Sequence, residues 1–139
     1  MAALTADRDT PLTAGVLFEF PASADTKCFA GGMAVLHSGT CEPGTTATGL
    51  VYVGRFEESV DNTDGNAGEV NVKVRRGCFR YANSGGADEI TLSDVGSYAY
   101  IVDDATVAKT DGHVDTGPAT RSKAGLIVNV DAQGVWINN

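Results

Sequence analysis

An all-β fold is what this chain predicts: a small antiparallel β-sandwich or barrel with one short helical turn and an extended N-terminal arm. Three observations carry that expectation. Glycines number 17 against 4 prolines, and β-branched Val and Thr are prominent, which suits strands joined by tight turns. Short apolar runs recur along the chain, separated by Gly, Asn and Asp turns at near-regular spacing. The third observation is residues 69–83, EVNVKVRRGCFRYAN. Val70, Val72 and Val74 share one parity and Asn71, Lys73 and Arg75 the other, the period-two pattern of a strand with one buried and one wet face. Past Gly77 the parity slips, so that Phe79 and Tyr81 take the apolar side. A β-bulge at Gly77 predicts one long, bent strand, with Lys73 and Arg75 on its wet face and Arg76 displayed at the bend.

The remaining elements follow in order. Residues 1–14 mix Thr, Asp, Arg and Pro without an apolar period, and Pro11 argues against a central strand position. They read as a flexible N-terminal arm. It is either a frayed terminus or a segment that orders on a partner, for instance by adding a strand to a sheet edge. Residues 15–139 form a single β domain. A strand at residues 16–20 is closed by Pro21, and strands at 27–30 and 33–37 are separated by Gly31-Gly32. Residues 38–47, rich in Gly, Thr and Pro, read as loop. Residues 49–60 begin as a nearly continuous apolar run, which suits a strand covered on both faces. The polar turn 61–68, DNTDGNAG, joins it to the central strand as an antiparallel hairpin.

One stretch is helical, residues 87–96. Thr91 caps it, Asp94 completes a capping box, Gly96 stops it, and Asp88-Glu89 suit its dipole. Strands at 98–102 and 106–109 flank the turn Asp103-Asp104-Ala105. Residues 110–123 are a long polar loop. Strands at 125–130 and 135–137 close the chain around the turn 131–134.

Size and charge narrow the function classes. A chain of 139 residues suits one domain, and 42% hydrophobic residues supply a core. The net charge of −8 disfavours general binding to nucleic acid or to anionic membranes and favours solubility. No run of about 18 apolar residues predicts a transmembrane helix. The N-terminus lacks the basic start and apolar core of a secretory signal. Cys28, Cys41 and Cys78 read as reduced, mostly buried thiols in a cytoplasmic product, with a Cys28–Cys41 bridge as the alternative.

No catalytic constellation emerges. His37 and His113 stand in no metal-ligand spacing and read as surface or satisfied residues. Residues 62–66, NTDGN, look like part of a calcium loop, but the glycine offset is wrong and no downstream Glu closes the site. Side chains of Asp103 and Asp104 diverge at a turn and are poorly placed for paired acid–base work. No phosphate-cradling glycine loop or nucleophile elbow is present. The expectation is a protein that is not an enzyme and uses no metal, cofactor or small-molecule substrate. Lys73, Arg75, Arg76 and Arg80 form the one positive cluster. Its readings are a solvated strand face, or a weak nucleic-acid site short of stacking partners beyond Phe79 or Tyr81. A third is a subunit contact through Lys73, Arg75 and Arg76, meeting acidic surface on another copy.

Three stretches also carry a family likeness: ALTADRDTP at residues 3–11, VKVRRGCFRYANSGGADEIT at 72–91 and VGSYAYIVDDATVAKT at 95–110. In their order and spacing, over nearly the whole chain, they resemble small phage and prophage head proteins of the capsid-cement, or head-decoration, family. The resemblance implies a structural virion protein, made in the host cytoplasm and seated on the capsid exterior. Such a protein is a compact β domain with an N-terminal arm, clustered as a homotrimer on the expanded shell, where it clamps subunits of the major capsid protein. Leu4, Thr5, Arg8, Asp9 and Pro11 match the pattern in the arm and become the expected capsid contacts. The resemblance assigns no role to the cysteines and brings no catalytic residue. The alternative from another class is a non-catalytic β-sandwich module that binds a host surface or glycan. Trp136, the one tryptophan, lies in the closing strand, where packing suits it better than a sugar platform.

Overall fold

Alternating and short apolar runs do build an all-β protein. The computed structural model describes residues 3–11 and 15–139. Its strands are β1 (Leu17–Pro21), β2 (Thr26–Cys28), β3 (Met33–His37), β4 (Thr40–Pro43), β5 (Val51–Phe56), β6 (Val60–Asn62), β7 (Asn71–Arg75), β8 (Cys78–Asn83), β9 (Tyr98–Ile101), β10 (Thr106–Ala108), β11 (Lys123–Asp131) and β12 (Gly134–Asn138). Single 3₁₀ turns occur at Gly86–Asp88 and Leu92–Asp94.

The strands form a five-stranded sheet in the order β1-β7-β5-β3-β4, a closed barrel β10-β8-β12-β11-β9, and a ribbon of β2 with β6. The open sheet curls until its two ends meet. Ala22 bridges Cys41, the Ser23 N–H donates to the Cys41 carbonyl at 2.9 Å, and the Ser23 and Thr40 hydroxyls lie 2.7 Å apart. Two apolar clusters result. Ala22, Cys28, Ala34, Cys41, Phe56, Val72 and Val74 fill the curled sheet. Met33, Val35, Leu50 and Tyr52 join Tyr81, Ile101, Ile127, Val135 and Ile137 in a second cluster that the sheet and the barrel share. Burying such side chains stabilises by about 1.5–3 kcal/mol each. The Ser122 hydroxyl fastens the same junction, donating to the Ala47 carbonyl at 2.7 Å and accepting the Leu50 N–H at 3.0 Å.

Several expectations are corrected. Residues 69–83 are two strands, not one bent strand. The parity slip at Gly77 is real, but it marks a change of sheet: Val72 and Val74 face the curled-sheet core, whereas Tyr81 faces the shared one. The corner is pinned on both sides, by the Arg76 N–H on the Val16 carbonyl (2.8 Å) and by the Asn139 N–H on the Gly77 carbonyl (3.2 Å). Residues 38–47 contain β4, paired with β3 across a two-residue turn. Ser38 and Gly39 take φ of 52° and 86°, the left-handed pair that matches strand twist in a tight hairpin.

The strand in residues 49–60 ends at Phe56, and its faces alternate: Val51 is exposed and Tyr52 buried. Its antiparallel pairing with β7 is present, Arg55 opposite Arg75 and Phe56 opposite Val74. The connection is not a plain hairpin, because β6 leaves to pair with β2. One barrel pair, β8 with β10, is parallel, so the antiparallel expectation has an exception. The helical signal resolves into the two 3₁₀ turns. The foreseen link between Thr91 and Asp94 is there, the Thr91 N–H donating to Asp94 Oδ2 at 2.8 Å.

Candidate functional site

The arm comes first. Residues 3–11 contain no strand and are exposed throughout, with Leu4 at 71%. Their hydrogen bonds among the described residues are local: the Thr10 N–H to the Arg8 carbonyl at 3.0 Å, and the Arg8 guanidinium to Thr10 Oγ1 at 3.3 Å. Leu4, Thr5, Arg8, Asp9 and Pro11 therefore lie together on one open segment. Residues 1–2 and 12–14 of the expected arm lie outside the described residues.

The basic cluster is divided by the fold. Lys73 is exposed on β7, opposite Glu19 of β1. Arg75 is engaged within the chain, its Nε 2.9 Å from Glu57 Oε2, and Arg55 Nη2 reaches the same oxygen at 2.8 Å. The hydrogen bond from Arg75, and next that from Arg55, hold the Glu57 carboxyl down at about 2. Arg80 belongs to the barrel. It stands opposite Trp136, its guanidinium 5.6 Å from the indole ring, with Asp131 at 3.8 Å. The two aromatic residues a nucleic-acid reading would need are occupied: Phe79 lies under Arg55 at 4.6 Å, and Tyr81 is buried.

Arg76 alone of the four projects at the β7–β8 corner into a groove of about 380 Å³ lined by Phe18, Phe20, Tyr52, Val53, Arg76 and Asn139. The groove exists because β7 leaves its sheet at this corner, uncovering the first half of β5. Phe18 and Phe20, stacked with centroids 6.4 Å apart, form one wall. Arg76 carries the one charged side chain in the lining and makes no ion pair among the described residues, whereas Arg55, Arg75, Arg80 and Arg121 each do.

The other candidate residues are occupied locally. Cys28, Cys41 and Cys78 are free thiols, the first two buried and the third exposed. Burial pushes the Cys28 thiol up to about 11 and the Cys41 thiol up to about 12, which keeps both protonated and unreactive at neutral pH. His37 Nδ1 lies 3.3 Å from Glu42, and His113 pairs with Asp111 two residues before it. No group of three His, Cys, Asp or Glu residues is arranged to hold a metal ion among the described residues. The 62–66 stretch is a turn: the Asn62 amide donates to the Ser23 and Asn66 carbonyls at 2.8 and 3.0 Å. Asp103 accepts the Ala105 N–H at 2.8 Å as part of its own turn. Trp136 is half-buried, and its indole N–H donates to Asp131 Oδ2 at 2.9 Å, so the ring is not an open platform.

Sequence reasoning did not single out the groove or the buried pair Tyr52–Tyr81, whose hydroxyls meet at 2.9 Å across the junction of sheet and barrel. The alternation Phe18-Glu19-Phe20 was the available signal for the groove wall. No family model, curated protein or solved structure matches the chain.

Proposed function

We propose that this protein decorates and stabilises the expanded capsid of a phage or prophage, bound on the outer shell as a homotrimer and contacting the major capsid protein through its arm. The observation that carries the reading is residues 3–11: an exposed apolar and charged segment ahead of a tightly cored β unit. An open arm of this kind is suited to ordering on a partner surface. The likeness of residues 3–11, 72–91 and 95–110 to head-decoration proteins supplies the partner. A single arm contact can be weak, because several arms fixed on one lattice raise avidity by about 10²- to 10⁴-fold without new contact types. The net charge of −8 suits a protein that must stay soluble until it meets the shell.

Deletion of residues 1–14 tests this directly. The truncated protein is expected to melt as the full chain does, because β1 begins at Leu17. It is expected to lose co-sedimentation with expanded capsids. Full-strength capsid binding by the truncated protein would remove the arm's role. Absence of the full-length protein from purified particles, measured by quantitative mass spectrometry, would remove the virion reading altogether.

A further inference from the structure

We infer that the groove beside Arg76 receives the arm of a second copy of this chain, so that copies associate by arm exchange. The inference rests on reading the arm as a docking segment and names its partner in the free protein. Three observations carry it. The groove is walled by the stacked Phe18 and Phe20 and by Val53, all three half-buried, with one cationic side chain at its mouth. Apolar walls beside a placed cationic side chain suit an apolar side chain with an acid close to it.

The arm has that character. Leu4 is its one large apolar side chain in the described segment, 71% exposed, and Asp7 and Asp9 follow. In extended chain Leu4 and Asp7 stand about 10 Å apart, so one can fill the groove while the other meets a charge at its rim. Finally, β1 is the terminal strand of its sheet and meets β4 through the Ala22–Cys41 bridge just past Pro21, so the wall of Phe18 and Phe20 is approached without breaking a strand pair.

Charge decides the partner. In a chain of net −8 the groove offers an arginine that pairs with no carboxylate among the described residues, and the arm offers Asp7 and Asp9, which likewise make no ion pair among them. Leu4 is exposed in this structure, so the chain's own groove is not filled by its own arm. A second copy supplies an arm to that groove and receives one in turn, or passes it round a ring.

Sedimentation velocity of the full chain over a concentration series, without capsids, tests the inference. Association is expected to strengthen with concentration and weaken with added salt. Arg76→Glu is expected to raise the dissociation constant at least roughly tenfold by placing like charges at the rim. Leu4→Asp should do the same, and Arg76→Glu combined with Asp7→Lys and Asp9→Lys should restore association. Arg76 and Leu4 are exposed, so unchanged melting separates these effects from misfolding. A wild-type chain that is monomeric throughout, or association unmoved by Arg76→Glu, would overturn the inference. Capsid binding, measured separately, bears on the decoration reading alone: an Arg76→Glu protein that still binds shells leaves that reading standing.

Discussion

Glu57 holds two guanidinium groups on a single carboxylate oxygen, and that arrangement sets a pH dependence. Its folded carboxyl titrates near 2 and its ordinary value is 4.5. A lowered acid stabilises the fold fully above the unfolded value and loses its contribution as pH falls through the folded one. The difference in melting temperature between wild type and Glu57→Gln is therefore expected to be constant from neutral pH down to about 5 and to vanish near pH 2. A difference that persisted at pH 2 would mean the pair acts through packing instead. At this scale sequence reading reached what was local. Thr91 and Asp94 are three positions apart, so their bond could be foreseen from one turn. Glu57 and Arg75 are not neighbours in sequence, and only the pairing of β5 with β7 brings them together.

Elements were more legible than their partners. Seven strands, β1, β2, β3, β9, β10, β11 and β12, follow from alternation and turn chemistry with shifts of a residue or two, because period two survives whatever the strand pairs with. The miss at β4 has a physical cause: Thr40-Cys41-Glu42-Pro43 is too short and polar to alternate convincingly, and it is a strand because β3 offers it an edge. The bent strand at residues 69–83 failed differently, since a parity slip signals a bulge and a change of sheet equally well. The β12 entry is held by a glycine for a reason visible only in three dimensions. Gly134 has φ of 156°, and a Cβ there would run into the Tyr81 carbonyl of the neighbouring strand. Gly134→Ala is expected to lower unfolding free energy by more than ~1 kcal/mol. Gly85→Ala, with open space around its Cβ, should stay within ~0.5 kcal/mol by urea denaturation. Equal losses at both sites would remove the steric account.

At the scale of the molecule, sheet and barrel meet through the shared core and the Tyr52–Tyr81 hydroxyl pair. Burial pushes the Tyr52 phenol up to about 12 and raises Tyr81 as well, so both remain protonated donors at neutral pH. Tyr81→Phe leaves the Tyr52 hydroxyl buried without its partner, at an expected cost of about 1–2 kcal/mol. The double substitution Tyr52→Phe with Tyr81→Phe should cost less than the sum of the singles, as denaturant midpoints would report. Strict additivity would mean the hydroxyls are satisfied independently. None of this junction was legible in the sequence. The closed barrel depends on β8 meeting β10 and β12, and such distant pairings leave no periodic trace.

Strand β3 runs through the middle of this arrangement. Met33 and Val35 face the core shared with the barrel, and Ala34 faces the core of the curled sheet. A strand walled on both faces has no cheap local fluctuation. Water reaches its peptide groups only when both cores come apart together, so in deuterated solvent these amides would be among the last to surrender their protons, long after the exposed arm had exchanged completely.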